Sequence, residues 1–430
     1  MKQFVSKIWN STSARNVGKL LSANVFAQAL GLLVYPILTR IYSPEDFGLL
    51  NLFLSIGGIL AMLATSEYQS AILLPSREDE AAGVARVAFI GVGLWSLLIT
   101  ATIPLARPIS FLFKTPELAN YYGLIVVYVA VMGCWAVYNV WLMRRRMFGS
   151  ISAFQLNQSA IGVLMKMLFG LIGWMRSGLI LSSLLAPFIA LITAIGYSRK
   201  VFREIWQKCN DTPWQLAKRY RRFPLFSMPR SLINNLSGNL PALLLTPYFG
   251  LNELGFFAMA MTLSFRPVSM ITASLYQVLF ERVAQAVRKG ECVFGTLRRR
   301  WVQMAAVIVP SMILLTFFMP WLVRVLLGEG WNETATLIRY MIPWIACVFL
   351  ISPLAFISEV FGKQKLFLLI EIAYLLLRVI AMVVGIWMDS FKWAIVLMSA
   401  SGTIVLLFQL ICYIHILRQY ESSRLTQAGK

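Results

Sequence analysis

Of 430 residues, 59% are apolar and only 13% are charged, and the mean hydropathy is +0.72, whereas soluble domains carry about a quarter charged residues. Such a composition excludes a soluble globular fold, and apolar runs of roughly 20 residues exclude the short alternating strands of a membrane barrel. The 39 Lys and Arg are more than double the 18 acids and leave a net charge of +21, whose placement along the chain has to be explained.

The first 19 residues are basic and polar, without the apolar core and small-residue cleavage site of a signal peptide, and read as a retained cytosolic tail. From there the apolar runs predict about twelve spans. In chain order they cover 19–41, 47–74, 86–106, 119–143, 151–175, 178–197, 224–249, 254–280, 301–327, 335–361, 366–388 and 393–417. The expected fold class is therefore an all-α polytopic membrane protein. Five cysteines (Cys134, Cys209, Cys292, Cys347 and Cys412) lie scattered, so neither a disulfide framework nor a metal site is expected, and no cofactor is implied.

An even number of spans puts both termini on one side, and the basic residues say which. The N-terminus, the turns around Arg77, Arg144 and Lys363, the two long loops and the C-terminus together hold about 28 of the 39 Lys and Arg, the bias of cytoplasmic segments. The opposite turns hold Arg40, Arg107, Lys114, Arg176, Arg324, Arg339 and Lys392. Both ends are thus expected in the cytoplasm, and the basic excess reads as topology rather than as a nucleic-acid surface. The longest polar piece, 198–223, carries Arg199, Lys200, Arg203, Lys208, Lys218, Arg219, Arg221 and Arg222. It reads either as an interfacial helix on anionic lipid or as a docking site for an anionic substrate or partner.

This linker separates an N-terminal six-helix lobe, 1–197, from a C-terminal one, 224–430, and the two halves repeat. Asp46-Phe47-Gly48 in the turn between spans 1 and 2 aligns with Glu253-Leu254-Gly255 between spans 7 and 8, an offset of 207. The inner turns ending at Gly149 and Gly362 align with an offset of 213. Six spans per copy make a parallel repeat, the layout of transporters that hold cargo between halves and alternate access.

The run from Pro36 to Gly48, Pro-Ile-Leu-Thr-Arg-Ile-Tyr-Ser-Pro-Glu-Asp-Phe-Gly, followed by Leu52-Phe-Leu-Ser-Ile56, resembles the opening signature of the polysaccharide-unit flippases. These form the O-antigen and capsule branch of the multidrug/oligosaccharidyl-lipid/polysaccharide exporter superfamily. Pro267 to Val278 in the second half is also similar to that branch, and the resemblance extends over nearly the whole chain. It implies two six-helix lobes around a central, often cationic cavity. It also implies movement of an undecaprenyl-pyrophosphate-linked oligosaccharide from the cytoplasmic to the periplasmic leaflet of the bacterial inner membrane, with no covalent chemistry. The implied partners are that lipid-linked substrate, membrane lipids and other membrane proteins of glycan assembly. Many members carry an acid in span 7, where this chain reads Asn239-Leu-Pro-Ala-Leu-Leu-Leu245.

Charges deep in spans are costly and usually face a wet cavity or a partner. In span 5, Gln155, Ser159, Gly162 and Lys166 share one helical face; in span 11, Glu371, Tyr374 and Arg378 do so. The offset of 213 carries Lys166 to within one residue of Arg378. Two buried cations at matching depth suit a pyrophosphate, whose charge must be balanced in low dielectric. Span 8 adds Arg266, just before Pro267, and span 7 adds Arg230, Asn234, Ser237 and Pro241 on one face. Asn24, Gln28, Gly31, Tyr35 and Thr39 line span 1 with neutral groups suited to sugar hydroxyls. The expected substrate-binding set is Arg266, Arg378, Lys166, Arg230, Asn234, Asn24 and Gln28, with Glu371 the acid for ion coupling ahead of Glu67 and Glu359. Each candidate has a structural alternative: Lys166, Arg266 and Arg378 each in a structural ion pair, Arg378 with Glu371 for instance; Arg230 snorkelling to the cytosolic boundary; and the neutral stripes packing helices.

Among competing functions, a glycan polymerase or ligase would need a large outer loop with catalytic groups. The longest outer loop, 107–118, has about a dozen residues, and no nucleophile–base pair or phosphate-cradling loop stands out. A multidrug exporter would favour acids over these cations, and a lipid II flippase would have more spans.

Overall fold

Backbone in hydrocarbon must satisfy its own hydrogen bonds, so apolar runs of this length become helices. The computed structural model describes residues 12–207, 209, 211–289 and 292–428, with backbone alone at 12–25, 288–289 and 423–428. The protein is helical nearly throughout. The principal helices are α1 (Thr12–Ile41), α2 (Pro44–Thr65), α3 (Glu78–Ala101), α4 (Leu118–Arg144), α5 (Phe148–Leu171) and α6 (Met175–Tyr197). They continue with α7 (Met228–Lys289), α8 (Phe294–Leu327), α9 (Asn332–Ile351), α10 (Gln364–Trp387) and α11 (Phe391–Ala428). Among the described residues nine helical stretches are long and apolar enough to cross a membrane. One of them, 65 residues long, contains the break in α7 at Gly250, whose φ of 84° only glycine adopts without strain.

Local sequence sets the helix ends. Ser43 caps α2: its hydroxyl accepts from the Asp46 N–H while Asp46 accepts from the Ser43 N–H at 2.9 Å, a reciprocal pair. The apolar run of the second predicted span continues to Leu74, yet α2 stops at Thr65. Ser66 and Glu67 turn the chain left-handed at φ 48° and 59°, and the Ser66 N–H closes on the Leu63 carbonyl. The third span starts earlier than hydropathy implies, because Glu78, Asp79 and Glu80 occupy the first turn of α3, where the helix dipole favours acids. The tenth span shortens to α9, followed by a 3-10 turn at Ser352–Leu354 and a short helix at Phe356–Val360, since Pro353 cannot supply a helix hydrogen bond.

The chain forms two compact units, Met1–Gly255 and Phe256–Lys430. In the first, α1 lies on α5, α5 on α6, α2 on α4 and α3 on α4. Leu49, Leu52, Phe53, Val129, Tyr138, Trp141 and Phe154 fill its core. Two short helices of the basic linker, Arg199–Glu204 and Pro213–Arg219, dock on this unit. Trp141 Nε1 donates to the Val201 carbonyl at 2.9 Å, Tyr68 donates to the Ala217 carbonyl at 3.1 Å, and Leu216 is 1% exposed. Part of the linker charge is balanced by an acid of α3, Arg219 reaching Glu80 at 2.6 Å, and the linker's Glu204 is held by Arg145 at 2.8 Å, which also reaches Glu78 at 3.2 Å.

In the second unit α9 and α10 each pack on α11, and α8 packs on α9. Ile351, Phe356, Ile357 and Tyr413 centre its core, joined by Leu279 and Val283 from the second arm of α7. Trp301 of α8 donates to the Leu350 carbonyl at 3.2 Å.

Candidate functional site

The first unit holds the strongest polar cluster at the end of α2 where the opening motif lies. Arg176, at the start of α6, binds Glu45 through Nη2 at 2.7 Å, Asp46 through Nε at 3.2 Å and Glu117 through Nη1. One guanidinium thus ties together three turns of the chain. Burial first, and the Asp46 charge second, push the Tyr42 hydroxyl up to about 12. Its hydroxyl donates to the Lys166 carbonyl at 2.6 Å, fixing the end of α1 against α5.

A second feature of this end is backbone contact. A methyl group on Gly48 would fall on the carbonyl oxygen of Leu251, and one on Gly255 would fall on that of Pro44. The offset of 207 that relates Gly48 to Gly255 also relates Pro44 to Leu251. The two contacts are therefore equivalent by the internal repeat, and both lie within the first unit.

The candidate cargo residues divide by environment. Gln28 and Lys166 are half-buried on helices packed together, where Ser159 donates to the Ala27 carbonyl at 2.7 Å. The Asn24 side chain lies outside the described residues. On the first arm of α7, Arg230 and Asn234 are exposed along one face with Gly238. The neighbouring face, Ser231–Asn235–Asn239, turns inward, and the Asn235 amide reaches Met62 of α2 at 3.3 Å. In the second unit Arg266 is exposed in mid-helix, and Ser269 and Gln277 follow it on the same side of α7.

Arg378 is different. It is 7% exposed and enclosed by aromatic rings from two helices. Its Nη2 donates to the Tyr374 hydroxyl at 3.1 Å, and the guanidinium carbon lies 4.8 Å from the Tyr374 ring centre and 5.2 Å from that of Trp344. Gly402 of α11 makes room for this box, since a methyl there would stand 2.7 Å from Trp344 Nε1 and 2.9 Å from the Tyr374 hydroxyl. Glu371, two turns before Arg378 on the same helix, is exposed. Glu67 is a turn residue rather than a span residue, accepting from Ser70 at 2.7 Å. Tyr276 reaches Glu359 at 3.4 Å.

Sequence reasoning missed the Arg176 cluster and the part played by Trp344. The first was hidden because its three acids come from two distant turns, though Ser43-Pro-Glu-Asp46 was visible as a motif. Among the described residues no group of three or more His, Cys, Asp or Glu could hold a metal.

Arginines within the spans of a helical membrane protein, and turns that repeat at Gly48 and Gly255, are features of a large transporter fold built from two related halves. Two solved structures share that fold over almost the whole chain at 16% identity. One is an inward-facing multidrug resistance MATE family transporter (TM-score 0.67, covering 92% of this chain and 96% of that one); the other is the lipid II flippase MurJ in an inward closed conformation (0.68, covering 95% and 91%). The polysaccharide biosynthesis protein family matches residues 37–336, and the chain belongs to that family. Among curated proteins it is similar to the succinoglycan biosynthesis transport protein ExoT of Rhizobium meliloti (strain 1021), 23% identical over 281 residues, or 65% of this chain. That match spans 55% of the relative's own length.

Proposed function

We propose that this protein moves an undecaprenyl-pyrophosphate-linked oligosaccharide repeat unit, of O-antigen, capsule or exopolysaccharide type, from the cytoplasmic to the periplasmic leaflet by alternating access. The observation that carries this reading is Arg266. An exposed guanidinium in the middle of a spanning helix cannot face hydrocarbon without a cost of several kcal/mol, so it faces a wet path. The Ser269 and Gln277 side chains continue that path on α7, and Arg230 and Asn234 supply a second polar face. Arginine suits a pyrophosphate because its planar fork binds phosphate oxygens in pairs.

In this reading Arg266, Arg230 and Asn234 meet the moving headgroup. Gln28 and Lys166 contribute polar groups from the packed pair α1 and α5, Asn24 is proposed with them from the sequence stripe alone, and Arg378 contributes a fixed positive field from its aromatic box. Glu371 is the group proposed for ion coupling. The chain acts without covalent chemistry, in the bacterial inner membrane with both termini cytoplasmic, as two six-helix halves joined by the basic linker 198–223. Membrane proteins of glycan assembly are its proposed partners.

The test is gene deletion followed by analysis of the lipid-linked intermediates. Repeat units accumulating on the cytoplasmic face agree with the proposal. Unpolymerised units already outside would overturn it in favour of a polymerase. Complementation with Arg266→Ala is expected to leave protein level normal and surface glycan reduced.

A further inference from the structure

A separate site lies in the second unit, between the beginning of α8 and the end of α11. Leu297, Trp301, Leu354, Leu410 and Tyr413 are among the groups forming an open groove of about 320 Å³, at the low end of the range for ligand clefts, about 300–1,000 Å³. Its lining is mostly apolar, and its two charged residues, Arg298 and Arg418, lie at one end, near the start of α8 and the end of α11. The Arg418 guanidinium sits over the Phe294 ring at 5.5 Å, which holds it at that end. Phe294 is itself fixed, because its N–H donates to Glu421 at 3.1 Å. Neither Arg298 nor Arg418 makes an ion pair among the described residues. Both are exposed.

We infer that this groove holds one anionic glycerophospholipid, an acyl chain against Trp301 and Leu410 and the phosphate between Arg298 and Arg418. The shape is that of an amphiphile: an apolar slot with two positive charges at one end. Charge complementarity selects the headgroup, because basic side chains near a leaflet are drawn to anionic lipid, and a zwitterionic lipid offers no net charge to meet two guanidiniums. Arg299 and Arg300, on the next positions of α8, line a different depression with Gly295 and Gln303, so they serve as an internal control.

Native mass spectrometry of the full-length protein, exchanged into detergent with phosphatidylglycerol or phosphatidylcholine, tests the inference. One phosphatidylglycerol is expected to stay bound at activation energies that strip phosphatidylcholine. The double variant R298Q/R418Q is expected to lose that adduct, whereas R299Q/R300Q keeps it. Val302→Trp, which fills the groove and leaves both arginines, is expected to lose it too, with an unchanged gel-filtration profile showing that the variant is folded. Equal retention of both lipids, or retention by R298Q/R418Q, overturns the inference. Displacement of phosphatidylglycerol by equimolar undecaprenyl phosphate also overturns it, since the groove would then belong to the substrate.

Discussion

Gly48 and Gly255, 207 residues apart and equivalent in the internal repeat, sit against each other's turns: the first touches the Leu251 carbonyl, the second the Pro44 carbonyl. Each contact is backbone on backbone, so neither can be relieved by a rotamer change. Gly48→Ala and Gly255→Ala are each expected to cost about 1–3 kcal/mol through overpacking, read as a lower Tm in detergent. Because they wedge one interface, the double variant should cost less than the sum of the singles. Gly58→Ala, with open space at its Cβ position, is the control and should leave the Tm unchanged or higher. A fall in Tm at Gly58 as large as at Gly48 would contradict the steric account.

Arg176 pairs with three carboxylates from two other turns. Arg176→Ala leaves Oδ1 of the buried Asp46 without its donor while Oδ2 keeps Ser43, and is expected to cost about 1–3 kcal/mol, the range for a buried polar atom deprived of its partner. Arg176→Lys should recover only part of this, since one ammonium cannot span Glu45, Asp46 and Glu117 with the fixed geometry of a guanidinium. Thermal unfolding of the two variants checks both statements; equal stability of Arg176→Lys and the parent protein would refute the shared-fork geometry.

Tyr42 makes the same end of the first unit sensitive to alkali. Its folded pKa is raised from 10.0 to about 12 by burial and then by Asp46. A raised pKa means that the folded state holds the proton more tightly, so its contribution is complete below pH 10 and disappears as pH rises to about 12. Ionisation would also remove the donor to the Lys166 carbonyl. Unfolding followed from neutral pH to pH 12 should therefore show a steeper loss of stability in the parent protein than in Tyr42→Phe. Parallel curves would mean that Tyr42 does not titrate in this window.

Much of this was legible in the sequence, for reasons that particular residues make plain. The repeat of Gly48 at Gly255 is a local pattern, and local patterns survive translation into structure; the Ser43 and Asp46 cap lies inside the Pro36–Gly48 run but was not read from it. The end of α2 was not legible, because Ala71-Ile-Leu-Leu74 continues the apolar run after Ser66 and Glu67 have already turned the chain. Hydropathy reports what lies in an apolar environment, not where a helix stops. The enclosure of Arg378 was equally hidden: Tyr374 is one turn away on the same helix, but Trp344 and Gly402 arrive from α9 and α11 through packing.

Leu216 anchors the basic linker. It is 1% exposed and packs over Gly83 of α3, where an added methyl would strike its side chain. Leu216→Ala should cost about 2–5 kcal/mol if the site does not collapse, and Gly83→Ala should loosen the same contact. The readout is limited trypsinolysis, with faster cleavage at Lys218 and Arg219 in both variants. Unchanged cleavage would show that the ion pairs of Arg219 and Arg145 hold the linker without Leu216.

Arg266 and Arg378 carry the same charge within spans, and their surroundings predict different phenotypes. Arg266 is exposed, so Arg266→Ala should leave stability within about 0.5 kcal/mol of the parent, as for most exposed substitutions, while surface glycan falls. Arg378 stacks on Trp344 and Tyr374 and donates to the Tyr374 hydroxyl. Arg378→Lys keeps the charge but loses the planar stack and the fixed donor, at a cost of about 1–3 kcal/mol. It should therefore lower both Tm and protein level before any effect on transport is read. Normalising surface glycan to protein level separates the two: the Arg266 defect persists after normalisation, and that of Arg378→Lys shrinks. If Arg378→Lys were as stable as the parent protein and still lost glycan, the aromatic box would be holding Arg378 for the cargo rather than for the fold.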